Sequence, residues 1–246
     1  MKINKNTVLD ITSSTPLPCE ICRPLILFLL AFFCHKSPKR VLRTLFKIQD
    51  DIVKLINHVG IRYEGGIHPK HRLIQYHEFF TNKISKDENV LDIGCGYGAV
   101  AYSIAKKTGA KVRGIDYNPN QIAMANKLYK HQNLIFEIGD GTKINAFTNT
   151  STIVISNVLE HIHDRIGLLK TTQRIVNPKR WLIRVPLKER DWSIGLREEL
   201  GVSYYLDSDH KIEYTVDTFK AEIALAGLRV NELHIRWAEI WAEVAL

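Results

Sequence analysis

The sequence is poor in the residues that would staple a fold together. Its 246 residues include only four cysteines, Cys19, Cys22, Cys34 and Cys95, too few for a disulfide scaffold at this length and in keeping with a reducing, cytoplasmic setting. The apolar run PLILFLLAFFC, Pro24 to Cys34, stops at eleven residues, well short of the roughly 20 that cross a bilayer. It leads into His35-Lys36-Ser37-Pro38-Lys39-Arg40 rather than a small-residue cleavage site, which argues against a secretory leader. Cys19-x2-Cys22 invites a zinc reading, but adjacent Cys34 and His35 can rarely both turn toward one tetrahedral ion. A second C-x2-C or H-x3-H is also missing, so no metal is expected. No Gly/Ser-rich linker or internal repeat divides the chain. With 45% apolar and 24% charged residues, the disordered and collagen-like classes are excluded, and the length suits one full-sized α/β domain.

What the chain does have is a positive surplus, 34 Lys+Arg against 26 Asp+Glu, and it is unevenly placed. Residues 1–60 carry nine basic and four acidic side chains, leaving the remainder at only +3. A nucleic-acid-binding face would need a basic stripe on the main body, so nucleic acid is not expected as a partner. From Lys36 to Lys47 there are five basic residues and no acid, interleaved with Val41, Leu42, Leu45 and Phe46. This pattern fits a helix lying on anionic headgroups, so residues 24–47 are a candidate peripheral membrane contact at the inner face of the membrane. The alternative is a helix capping one end of the main domain. Ile48, Ile52, Leu55, Ile56 and Val59 then fall on one helical face, which predicts a second, packed helix ending at Gly60.

From about residue 80 the pattern alternates strand, loop and helix: NVLDIGCGYG, AVAYSIAKKTG, AKVRGIDYN. Such alternation predicts an α/β fold with a doubly wound, Rossmann-like, mainly parallel sheet. Further strands are expected at 134–138, 152–156, 180–185, 228–236 and 239–246, and helices at 118–131, 164–175 and 216–226. Only Trp237 and Ala238 separate the last two strands, which favours a terminal antiparallel hairpin. The expected organisation is an N-terminal helical extension over 1–79 and one domain over 80–246, with a substrate-lid insertion at about 187–214.

The informative stretch is Val90-Leu91-Asp92-Ile93-Gly94-Cys95-Gly96-Tyr97-Gly98. Glycines at a strand-to-helix turn let the backbone approach a ligand closely. Gly94-x-Gly96-x-x-Ala99 also meets the relaxed dinucleotide fingerprint, so an NAD(P)-dependent oxidoreductase is the competing reading. Asp92 discriminates: its carboxylate would repel a pyrophosphate, yet suits a ligand bearing ammonium and sulfonium charges, such as S-adenosylmethionine. Asp116, closing the second strand, can accept from both ribose hydroxyls. Asp140 in Gly139-Asp140-Gly141 can receive an adenine amine, or simply cap a turn.

Together VLDIGCGYG, GIDYN, GDG and SNVLEHI (156–162) resemble class I S-adenosylmethionine-dependent methyltransferases, in particular those acting on small molecules. The resemblance covers residues 80 to about 186 closely and the rest loosely. It implies a seven-stranded sheet, order 3-2-1-4-5-7-6 with the last strand antiparallel, and S-adenosyl-L-methionine as cofactor. The methionine end would lie at Asp92, Gly94, Cys95 and Gly96, the ribose at Asp116 and Tyr117, the adenine at Asp140 and Gly141, and the reacting methyl beside Asn157. His68-Pro69-Lys70-His71-Arg72-Leu73 looks like the Asn-Pro-x-Arg-Leu stretch of ubiquinone-pathway O-methyltransferases with one residue added, which makes Arg72 the candidate for the cofactor carboxylate. His68, His71 and His77 do not share one helical face and are expected at the mouth of the site rather than on a metal.

Methyl transfer to a hydroxyl or ammonium needs a base, and His161, just after strand four, is the catalytic candidate; the alternative is that Glu160-His161 caps the following helix. Arg190, Asp191, Trp192, Tyr204, His210 and Tyr214 in the lid are the candidate substrate residues. The expected acceptor is a small molecule, glycan precursor or lipid-linked intermediate, methylated on O or N. The remaining reading is a cofactor-binding, membrane-associated protein without turnover.

Overall fold

The computed structural model describes residues 19–33, 37–143 and 149–246. The side chains of Cys19 and Cys22, and all of Cys34 and His35, lie outside the described residues, so the zinc reading concerns nothing in this structure.

The sheet has seven strands: β1 (Asn89–Ile93), β2 (Lys111–Asp116), β3 (Leu134–Ile138), β4 (Thr152–Ser156), β5 (Arg180–Pro186), β6 (Arg229–Arg236) and β7 (Glu239–Ala245). Their order is β3-β2-β1-β4-β5-β7-β6, parallel through β5 and antiparallel at β7, as expected. Burial on both faces explains the strand sequences. Along β4, Ile153 and Ile155 enter one core with Leu91, Ile93, Trp181 and Ile183, while Val154 points into the other with Val90, Leu182 and Ile104. The β6–β7 turn is two residues long, with Trp237 at φ 54° and Ala238 at φ 60°. Both central residues are left-handed, the geometry that matches the strand twist, although neither is glycine.

Crossover helices pack on the two faces: α5 (Ala99–Thr108), α6 (Pro119–Leu128), α7 (Arg165–Val176) and α9 (Val216–Leu225) follow α1 (Cys19–Phe33), α2 (Pro38–Tyr63), α3 (Lys70–Leu73) and α4 (His77–Thr81), with α8 (Ser193–Leu200) in between. Local chemistry sets their starts. Asn118 and Asp164 cap α6 and α7, accepting from the Asn120 and Gly167 amides, and Thr215 with Thr218 forms a reciprocal capping box on α9. Helix α6 ends at Leu128, three residues before the expected stop, because Tyr129 turns extended and stacks on Tyr102 of α5.

Two expectations about the N-terminal region are corrected. Residues 48–59 are not a separate packed helix. They continue α2, and the predicted apolar face is exposed: Ile52, Leu55, Ile56 and Val59 are each about half or more open. What packs is the earlier part of α2. Phe46 forms a small core with Leu200 and Val202, supported by Leu42 and Leu196. Arg43 donates to the Leu200 carbonyl (2.6 Å), and Arg197 of α8 pairs with Asp50 (2.9 Å), bonds Gln49 and stacks over Phe46. One residue of the basic stripe, Arg43, thus helps to dock α2 onto α8. Among the described residues no helix is long and apolar enough to cross a membrane.

Arg197→Ala removes the pairing to Asp50 and the stacking on Phe46 together. Hydrogen exchange should then quicken along 38–63 while β1, β4 and β5 stay protected; unchanged exchange in α2 would show that the helix is held by something else.

Candidate functional site

The carboxyl ends of β1, β2 and β4 carry the residues singled out in the sequence, where open α/β sheets bind ligands. The turn after β1 is knitted to β2: the Gly94 and Cys95 amides both donate to the Ile115 carbonyl (2.8 and 2.9 Å). The Gly96 amide donates to Asp116 Oδ2 (3.0 Å), and Asn118 donates to Asp116 Oδ1 (2.9 Å). Two glycines in this turn do different work. Gly94 has φ +69°, and a Cβ there would come within 2.5 Å of Val158, so this glycine lets the β4 loop close onto the turn. Gly96 has φ +55°, and a Cβ there would meet nothing nearer than the Gln121 side chain at 3.8 Å.

Asp92 lies beneath this turn, 1% exposed, with Oδ2 lacking any hydrogen-bond partner. Burial first, and then the nearby Asp116 charge, push its pKa up to about 8. A buried carboxyl with an unmet acceptor is costly, and a cation delivered by a ligand would relieve it. Asn157, on the neighbouring β4 loop at φ +55°, has a second buried orphan, Oδ1. The Cys95 thiol lies against Gly114 and points at the Gly96 carbonyl (3.9 Å), and burial raises its pKa. Tyr117 is largely exposed. Asp140 accepts from the Thr142 amide (2.9 Å) and hydroxyl (2.6 Å) and caps the short turn Gly141–Lys143.

The stretch before α4 arranges itself differently from expectation. Arg72 is mostly exposed and its guanidinium pairs with Glu64 at the end of α2. Two residues earlier, Lys70 is the cation that feels Glu160, Glu239 and Arg184. Arg184, which the sequence reading missed, is 2% exposed at the end of β5. It holds Glu239 through two bonds of 2.6 Å, donates to Ser156 Oγ (3.1 Å) and stacks on Tyr76 at 3.8 Å. His71 and His77 contact each other (3.1 Å), Tyr76 and Ser103, and so seam α4 onto α5. Burial chiefly lowers them to about 4 and about 3, leaving both rings neutral at pH 7.

After β4, Leu159–His161 forms a single 3-10 turn. His161 meets the lid there: its ring lies edge-on to His210 at 4.6 Å, and its Nδ1 is 2.9 Å from Asp209 without a hydrogen-bond alignment. Glu160 is 1% exposed and neither carboxylate oxygen has a partner. Burial raises its pKa to about 8, against partial relief from His210 and Arg184. The Lys211 amide donates to the Glu160 carbonyl (2.6 Å), fastening lid to turn.

The side chains expected in the 187–214 segment divide between the neighbourhood of His161 and the scaffold. His210 Nδ1 bonds Glu213 Oε1 (2.8 Å); burial opposes its charge, but Glu213 and Glu160 raise its pKa overall. Arg190 is scaffold: it pairs with buried Glu213 (2.8 Å) and holds the Tyr204 and Leu187 carbonyls. Tyr214 is a core residue rather than a substrate contact, 1% exposed, packed on Phe219 and bonded to Glu222 (2.7 Å). Asp191 accepts from the Ser193 amide at the start of α8 (2.8 Å), Trp192 is 82% exposed, and Tyr204 stacks on Tyr205.

A sequence profile of the methyltransferase domain matches residues 67–233, more than half of the chain. The chain is 26% identical over 110 residues to norajmaline N-methyltransferase of Rauvolfia serpentina, covering 43% of this chain and 38% of that protein. It is 26% identical over 171 residues to the ubiquinone biosynthesis O-methyltransferase of Sodalis glossinidius, covering 61% and 67%. It thus spans only about two fifths of the length of the first of these relatives. Magnesium protoporphyrin IX methyltransferase from Synechocystis PCC 6803, solved with bound SAH, superposes with a TM-score of 0.57 at 13% identity, over 72% of this chain and 82% of that one, a likeness of fold.

Proposed function

The chain belongs to the methyltransferase-domain family, and on that premise we propose that it transfers the methyl group of S-adenosylmethionine to an oxygen or nitrogen atom of a small molecule, glycan precursor or lipid-linked intermediate. The observation that carries the reading is the orphaned, buried Asp92 carboxyl under a glycine turn that is uncrowded at Gly96. A ligand with a cationic methionine end answers that orphan, whereas a dinucleotide pyrophosphate, itself an anionic acceptor, would bring no donor to it and would meet Asp116 as a like charge. Asp116, anchored by the Gly96 and Asn118 amides, is pre-set as an acceptor for ribose hydroxyls. Cys95, Tyr117, Asp140 and Gly141 line the same edge, with Asp140 sharing its carboxylate with Thr142. Arg72, which pairs with Glu64, and Lys70, two residues earlier, are the two candidate cations for the cofactor carboxylate.

When bound, the cofactor supplies a methyl group already activated on a sulfonium leaving group. The residues of the chain then have to bind, align and exclude water, an effect that can account for much of the barrier. Asn157 and the Val158 loop close one side, and His161 with His210 forms the acceptor side. His161 is the catalytic candidate, and Asp191, Trp192 and Tyr204 remain the lid side chains available to an acceptor.

Asp116→Ala should weaken S-adenosylhomocysteine binding by about tenfold or more, since a charge-assisted hydrogen bond is worth about 1.5–3 kcal/mol. Calorimetry with wild type showing NADH binding and none of S-adenosylhomocysteine would overturn the methyltransferase reading. Transfer of a tritiated methyl group from the cofactor into a cell extract separates turnover from mere cofactor binding.

We further propose that this enzyme works against an anionic membrane surface. Leu25, Ile26, Leu27, Phe28 and Phe32 of α1 stand about half or more exposed, followed in sequence by the basic stretch that starts α2. Apolar side chains next to cations are what an interfacial helix inserts among acidic headgroups. Flotation with vesicles containing phosphatidylserine should carry the full chain and lose it on Leu25→Glu/Phe28→Glu; equal flotation of both would remove this placement.

A further inference from the structure

Three groups around the β4 turn have no explanation in the cofactor reading. Both oxygens of Glu160 are sealed from solvent without a partner, which for a carboxylate is among the costliest arrangements a fold can keep. Glu160, His161 and His210 each bring one ligand atom to within 4.8 Å of the other two. The ring of His210 is also oriented from behind: its Nδ1 bonds Glu213, whose side chain is fully buried and held in turn by Arg190. That leaves Nε2 as the free nitrogen, and an imidazole fixed by a carboxylate on its far side is how proteins aim a metal-binding histidine.

We propose that Glu160, His161 and His210 bind a divalent first-row transition-metal ion at the acceptor side of the site. Two imidazoles and one carboxylate suit such an ion better than magnesium or calcium, which prefer all-oxygen sets. Three protein ligands leave coordination positions open, the pattern of catalytic rather than structural sites. The Asp209 carboxylate, 2.9 Å from His161, stands next to the cluster as a further oxygen. Other groups were better satisfied: among the described residues, His71 and His77 already contact each other, Tyr76 and Ser103.

The role of the ion rests on the methyltransferase reading, although its binding does not. An open metal position would draw in a hydroxyl of the acceptor and lower its pKa, which selects an oxygen over a nitrogen acceptor. The acceptor hydroxyl then gives its proton to water as its oxygen bonds the methyl carbon, and the electrons of the broken carbon–sulfur bond stay on sulfur. His161 in this scheme serves catalysis by holding the ion, which supersedes the base role its sequence position suggested.

The test is titration of the metal-stripped full-length protein with Co2+, followed by its visible absorption, with S-adenosylhomocysteine binding measured in parallel. Wild type should show saturable, stoichiometric ligand-field bands. Glu160→Gln, which keeps the shape of the side chain, and His210→Ala should each weaken Co2+ binding by at least about tenfold, with melting still cooperative. Absence of Co2+ bands in wild type, or unchanged affinity in both variants, would overturn the site. Failure of S-adenosylhomocysteine binding with intact Co2+ bands would instead remove the methyltransferase reading and leave the metal site standing.

Discussion

The site is organised around one unfavourable burial, the Asp92 carboxyl beneath the glycine turn. Its position at the core end of β1 takes it out of water, and Asp116 at the end of β2 adds a like charge nearby. Neither strand can move away, because Gly94, Cys95 and Gly96 tie the β1 turn to Ile115 and Asp116. The protein therefore holds Asp92 in a state that favours the neutral acid and stores a preference for an incoming cation. A stable fold would not need this arrangement, whereas a binding site that must recognise a cationic ligand gains selectivity from it. Gly94 makes it geometrically attainable, since a side chain there would strike Val158 and hold the β4 loop off the turn.

The turn after β4 repeats the principle with a different group. Glu160 is also buried and unpartnered, one turn beyond β4, and the lid is bolted over it by the Lys211 amide and by the Arg190–Glu213–His210 chain. One orphaned acid thus lies within β1 and the other in the turn that follows the neighbouring parallel strand β4. The remaining architecture holds these positions still: Arg184 clamps β4, β5 and β7 through Ser156 and Glu239, and α2 braces the lid through α8.

Much of the fold was legible because burial on both sheet faces leaves a simple trace, and the strand order was implied by the family resemblance that the strand-end motifs carry. Helix α8 was not legible. It is eight residues long, has no side-chain cap, and its sequence SIGLREEL alternates polar and apolar groups as a solvated loop would. Arg190 and Tyr214 looked like binding residues because polar and aromatic side chains in a lid read alike whether they face a ligand or each other. Only the contacts of Arg190 with Glu213 and of Tyr214 with Glu222 distinguish the two. Residues 48–59 misled in the opposite direction: a helical apolar face predicts that something covers it, and in the described structure that face is open. The Glu160-His161 pair was visible in sequence, but its third member, His210, lies 49 positions away and enters through the lid.

The central claim is that Asp92 is neutral in the ligand-free protein and ionised when a cationic cofactor binds. With a free-state pKa of about 8, the acid is mostly protonated at pH 7, and a complex that pairs it with a cation must bring its pKa down. The direct measurement is calorimetric titration of S-adenosylhomocysteine, whose ammonium is cationic, at pH 7 in two buffers of different ionisation enthalpy. The account predicts release of close to one proton per cofactor bound, affinity that rises with pH up to about 8, and loss of both effects in Asp92→Asn. Binding without proton release, with affinity flat between pH 6 and 8, would contradict it.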